Sequence, residues 1–142
     1  RIYLPCGGLT ALRYDAAKNA LEQLWQEHRL QPENASPVVH EGRVYVMKSA
    51  GVVVCGDAAS GKTLWQLRLR GPFWATPAIA GEHLYAVNHE GLVQVVRLGA
   101  QGTLAGTGQI DKGILASPAV ADGAVYFRSN EHLWKIAATG SR

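Results

Sequence analysis

Apolar and polar residues alternate with period two along most of this chain, in short stretches that end in turns. From Thr63 to Arg70, Trp65, Leu67 and Leu69 take every second place and Gln66, Arg68 and Arg70 the places between. One face of that stretch is expected to be buried and the other wet. RVYVM from Arg43, HLYAV from His83 and AVYFR from Ala124 are β-branched and aromatic, and each follows a turn signal, Glu41-Gly42, Gly81-Glu82 or Asp122-Gly123. VVVC, LVQVV and HLWKI come next as further strands. Ahead of each hairpin stands a Ser/Thr-Pro segment, where Pro is tolerated because a strand start needs no ladder donor. Only AAKNALEQLWQEH, residues 16–28, is rich in helix formers.

The pattern repeats. Pro37, Pro77 and Pro118 lie 40 and 41 residues apart, and the same register aligns Gly42 with Gly81 and Gly123, Tyr45 with Tyr85 and Tyr126, and Gly51 with Gly91. Tyr3 and Gly8 continue these columns upstream, and Trp25 precedes Trp65 by 40 residues. Each unit reads as four short antiparallel strands, which is the signature of propeller blades. The prediction is an all-β chain, a partial β-propeller of about three and a half four-stranded blades. Residues 1–32 form the back half of a blade, 33–72 and 73–113 two blades, and 114–142 an incomplete one. Register also overrides propensity at residues 16–28, because it puts Leu24 and Trp25 in the fourth-strand position, with an insertion that could hold a helical turn.

One motif competes with this reading. Gly56, Gly61, Lys62 and Thr63 fit GxxxxGKT after a β-branched run, as a phosphate-binding loop would. Such a loop needs a helix N-terminus at the GKT. TLWQLRLR has period two instead, and Gly71-Pro72 ends it, so ATP is not expected to bind. As a turn, CGDAASGKTLW needs Asp57 to cap backbone N–H groups and Gly61 to supply a positive φ, with Trp65 laid over the next blade.

Asp57, Gly61 and Trp65 resemble the tryptophan-docking pattern AxDxxxGxxxW of the PQQ-like, or quinoprotein-like, repeats, with Cys55 where that family has Ala. The Ser/Thr-Pro, Gly, Tyr and Gly columns are similar to the other half of its repeat. The resemblance runs from Arg1 to about Gly140. In the first unit Asp15 and Trp25 fit with an insertion. In the third, Leu104 or Ala105 replaces the Trp, and in the last Ala137 holds roughly the Asp position. The family implies seven or eight blades, so the remaining blades of a longer protein are expected partners. It includes dehydrogenases that hold pyrroloquinoline quinone (PQQ) and calcium, and cofactor-free scaffolds such as the outer-membrane assembly lipoprotein type. The resemblance also implies an exported, periplasmic location.

Composition narrows the choice. A net charge of +3 with basic residues scattered singly argues against nucleic acid, and no apolar run is long enough to span a bilayer. Cys6 and Cys55 form no CxxC, and the five histidines show no metal-ligand spacing. Histidines 40, 83 and 132 flank hairpin turns and are expected to be solvated, and Trp134 to be third-strand core. No catalytic, cofactor or metal residue is expected, and a protein-binding or structural scaffold is the favoured function. The alternative is part of a PQQ- and calcium-dependent dehydrogenase. Trp25, Asp57, Gly61 and Trp65 are the expected blade-docking residues. PFW (72–74) and GIL (113–115) occupy the same link before successive blades, and they are expected to pack between blades rather than form a contact patch. Phe73, Trp74, Asp111, Lys112 and Leu115 are the candidates for interaction loops.

Overall fold

The computed structural model describes residues 1–138, and among these there is no α-helix. Fourteen strands form four antiparallel meanders. The first sheet holds β1 (Ile2–Pro5), β2 (Leu9–Asp15) and β3 (Ala20–Glu27). The second holds β4 (Val38–His40), β5 (Arg43–Lys48), β6 (Val52–Asp57) and β7 (Thr63–Arg68). The third repeats it with β8 (Ala78–Ala80), β9 (His83–Val87), β10 (Leu92–Arg97) and β11 (Thr103–Gln109). The fourth holds β12 (Ala119–Ala121), β13 (Ala124–Arg128) and β14 (Leu133–Ala137). The chain is an all-β partial propeller, as its periodicity predicts. The last residues of the fourth unit, 139–142, lie outside the described residues.

Residues 16–28 settle as a turn followed by β3, with a 3-10 turn at His28–Leu30 after it. Pairing with β2 outweighs helix propensity: every β3 residue except Leu24, at a bulge, stands opposite a β2 partner.

The core lies between sheets, not inside one. Val44 and Val46 of β5 pack with Leu9, Leu30 and Val54 toward the first sheet. Tyr45 and Met47, the alternate residues of the same strand, pack with Phe73, Leu84, Ala86 and Val96 toward the third. A middle strand is therefore buried on both faces, and RVYVM reads as nearly continuous apolar sequence. The outer strand β7 keeps one wet face and so retains clean alternation.

Inner strands β4, β8 and β12 neighbour one another around the axis. Their Ser/Thr-Pro motifs are chained: the Ser36 N–H donates to Thr76 Oγ1 at 2.8 Å, and the Thr76 N–H to Ser117 Oγ at 3.0 Å. The hydroxyl in the motif thus links one blade to the next, while the proline only stiffens the strand start.

Meander topology sorts the loops onto two faces. Hairpin turns and docking turns share one face, where the Ala58 N–H donates to the Gly42 carbonyl at 2.9 Å. Links between blades and second-to-third-strand loops share the other, where the Phe73 N–H donates to the Ser49 carbonyl at 3.0 Å and that of His89 to Pro72 at 3.0 Å.

Candidate functional site

The docking turn after β6 is capped by a single carboxylate. Asp57 Oδ1 accepts from the N–H of Ala59 at 3.1 Å and from the N–H and hydroxyl of Ser60 at 2.7 Å each. Those bonds, the Ser60 side chain's first, hold the Asp57 carboxyl below the usual carboxylate range. Gly61 has φ +76°, and a Cβ there would stand 2.7 Å from the indole of Trp25. Trp25 lies over this turn and donates from Nε1 to the Ala58 carbonyl at 3.3 Å. One blade on, a Cβ on Gly102 would stand 2.5 Å from the indole of Trp65. Each tryptophan thus seats on the glycine of the following blade's turn. Lys62 and Thr63 lead into strand β7, so no helix N-terminus faces a phosphate here.

The first sheet has the same turn with one change. Asp15 Oδ1 accepts from the N–H groups of Ala17 and Lys18, and Asn19, with φ +48°, takes the place of Gly61. No indole lies on Asn19 among the described residues, so a Cβ is tolerated and asparagine supplies the left-handed turn. Sequence reading missed Asn19 because glycine was the expected letter.

The face bearing the links divides PFW and GIL. Phe73 is 1% exposed and Ile114 fully buried, whereas Trp74 is 51% and Leu115 56% exposed. The expectation that these links pack wholly between blades is corrected: the first apolar residue of each packs and the second points outward. Phe73, conversely, is not available as an interaction-loop residue. Backbone bonds from each link to the neighbouring loop fix that alternation, since Gly113 N–H and Ile114 N–H both donate to the His89 carbonyl.

Asp111 and Lys112 stand on this same face. Asp111 Oδ2 accepts from His132 Nδ1 at 2.5 Å, Ser129 Oγ at 3.1 Å and Trp134 Nε1 at 3.3 Å. The His132 bond above all lowers its pKa. The cluster ties the link to the β13–β14 loop. His132 is therefore a bonded loop residue and not merely a solvated one, and half-buried Trp134 has a polar tie as well as a core face. Lys112 pairs with Glu90 at 3.3 Å, both side chains exposed. Calcium takes about six to eight oxygens. The only Asp111 oxygen in this network is engaged three times, and among the described residues no three His, Cys, Asp or Glu side chains converge as a metal site. This donor set does not fit that ion. Cys6 is exposed and Cys55 buried, both free thiols.

Two buried amides that periodicity does not flag hold the blade-to-blade link. Gln94, 2% exposed, accepts from the Arg70 N–H and donates to the Arg70 carbonyl, each at 2.9 Å. Asn88, 3% exposed, donates to the same carbonyl at 2.9 Å. A polar letter inside an apolar strand, Gln94, or directly after one, Asn88, is the one signal that could have marked them.

A family model described as outer membrane protein assembly factor BamB, of the PQQ-like repeat type, matches residues 13–105. The chain belongs to this family. No curated protein sequence matches it significantly. Among solved structures, BamB from Moraxella catarrhalis superposes with a TM-score of 0.66 at 15% identity, covering 89% of this chain and 40% of that one. The quinohemoprotein alcohol dehydrogenase from Comamonas testosteroni aligns at 0.57 and 23% identity, over 66% of this chain and 16% of that one. A computationally designed protein, Ika8, aligns at 0.70 and 14% identity, over 94% and 42%. At these identities the likeness is one of fold. The chain spans well under half the length of each.

Proposed function

We propose that this chain is a non-catalytic stretch of PQQ-like propeller whose link-bearing face takes a protein partner in an exported protein. The observation that carries this reading is the pair Trp74 and Leu115. They occupy the same position in successive links, on one face, each more than half exposed beside a buried apolar neighbour. A large half-exposed aromatic held by a packed link is the residue type that anchors protein interfaces. Family membership supports a partner within outer-membrane protein assembly, and with it a periplasmic location. No helix among the described residues is long and apolar enough to cross a membrane. The engaged Asp111 oxygen favours a structural role for that cluster over cofactor chemistry. The quinoprotein dehydrogenase alternative has only fold likeness behind it, since a fold hosts many functions.

Further blades are the second kind of partner. Ile2, Leu4, Tyr14 and Leu21 are exposed on the first sheet and Val120, Leu133 and Ile136 on the last, apolar surface of the kind that neighbouring blades cover elsewhere.

Photo-crosslinking tests the face. A crosslinking residue at Trp74 in the full-length protein, expressed in its native host, should capture an outer-membrane assembly component identified by mass spectrometry. A crosslinker at exposed Val39, on inner strand β4, should not capture it. Equal capture at both sites, or a Trp74→Ala variant that loses thermal stability, refutes the assignment.

A further inference from the structure

Consecutive blades dock through the same three positions, but the two interfaces are wired differently. At the first, Arg1 Nη1, the Tyr3 hydroxyl and Trp25 Nε1 all donate to the Ala58 carbonyl, at 3.0, 3.1 and 3.3 Å. At the second, Arg43, Tyr45 and Trp65 hold the equivalent places before the Gly99 carbonyl, and of the three only Arg43 donates to it. Trp65 Nε1 is buried without a hydrogen-bond partner, and so is His40 Nε2, whose nearest carboxylate oxygen, on Glu41, stands 3.8 Å away. Buried polar atoms of a native protein are rarely left unbonded, and such orphans point to a water, an ion or a ligand.

A cavity of about 220 Å³ opens at this interface. His40, Arg43 and Tyr45 form one wall and Glu82, Leu98 and Gly99 the other. Three charged side chains line it: the carboxylates of Glu41 and Glu82 and the Arg43 guanidinium, which has N–H donors beyond the one given to Gly99. The two carboxylates sit at the rim. The Glu82 side chain is 71% exposed and lies 3.7 Å from Arg97, and that of Glu41 is 81% exposed. A planar cation flanked by a phenol and an imidazole is suited to a carboxylate, which accepts from all three.

We propose that this cavity binds a carboxylate group, with Arg43 as its ion-pair partner and Tyr45 and His40 as hydrogen-bond donors. The bound group gives His40 Nε2 the hydrogen-bond partner it lacks and takes up the Arg43 donors that Gly99 leaves free. The site lies on the hairpin-turn face, opposite Trp74 and Leu115, so it does not depend on the partner assigned there. The carboxylate belongs either to a small free acid or to the end of a peptide.

Backbone amide NMR of the full chain tests the site. Formate, N-acetylglycine and uncharged N-acetylglycinamide are titrated at constant ionic strength set with chloride. Saturable shifts at Tyr45, Gly81 and Gly99 are expected with the two carboxylates and not with the amide. Tighter binding of N-acetylglycine points to a peptide end, and tighter formate to a small acid. Arg43→Gln should abolish the shifts. Because that change also removes a docking bond, Glu82→Gln is the safer arm: deleting a rim charge should tighten carboxylate binding severalfold without touching the fold. Shifts that never saturate, that chloride alone reproduces, or that Glu82→Gln leaves at the same affinity overturn the proposal and leave ordered water as the occupant.

Discussion

Gly99 and Gly102 flank one turn and differ in a single respect, which makes them a direct measure of what tryptophan docking contributes. Neither adopts the left-handed backbone region. A Cβ on Gly99 would meet nothing closer than a carbonyl oxygen at 3.6 Å, an ordinary contact, whereas one on Gly102 would overlap the Trp65 indole at 2.5 Å. Gly→Ala at a permissive site stabilises by about 0.4–1 kcal/mol, through the unfolded chain. Both variants share that gain, so subtracting one from the other leaves the overpacking cost, about 1–3 kcal/mol. Trp65 is only 8% exposed and is hemmed in by Tyr45, its ring centroid 5.9 Å away, so the indole has little room to yield. Urea unfolding followed by far-ultraviolet circular dichroism should therefore give Gly99→Ala a midpoint at or above that of the parent and Gly102→Ala a clearly lower one. In a Trp65→Phe background, which removes the ring atoms nearest Gly102, the difference should shrink. Equal midpoints, or a gap that survives in Trp65→Phe, would show that the indole does not seat on this turn.

Three further outcomes follow from the same geometry. Phe73→Ala should cost about 3–5 kcal/mol of stability and Leu115→Ala close to nothing by the same unfolding assay, because only the first opens a core cavity; similar losses would contradict the alternating links. Burial pushes the Cys55 thiol up to about 11, so a thiol reagent at pH 8 should label exposed Cys6 in the native chain and spare Cys55 until denaturant is added; labelling of both at once would place Cys55 outside the core. The Asp111 carboxyl is held low by His132, so the folded state binds fewer protons there than the unfolded state does. Its contribution to stability is present above the usual carboxylate range and lost as pH falls through the depressed value. Carbon-detected NMR titration should show that low midpoint and its return toward the ordinary range in His132→Gln; an unchanged midpoint in the variant would assign the shift to another cause.

Much of the architecture was legible because a propeller repeats its instructions. Pro37, Pro77 and Pro118 mark three inner strands, and the Tyr and Gly columns mark the hairpins that follow. Agreement among units outweighed the helix-forming letters of residues 16–28 and the phosphate-loop lettering of Gly56 to Thr63. The candidate face was legible only in part. The sequence placed PFW and GIL at equivalent links, but nothing in an apolar triplet says which member turns outward. Backbone bonds from a neighbouring blade decide that, and they lie far away along the chain.

Local letters, repeated at a near-constant interval, determined the strands, the turns and their order, since period-two burial and turn chemistry act over a few residues. Contacts between sheets decided the rest: Trp25 over Gly61, Trp65 over Gly102, the unbonded indole at the second interface, and His132 on Asp111. Each of these joins residues about twenty to forty positions apart, across surfaces that exist only once the blades are stacked.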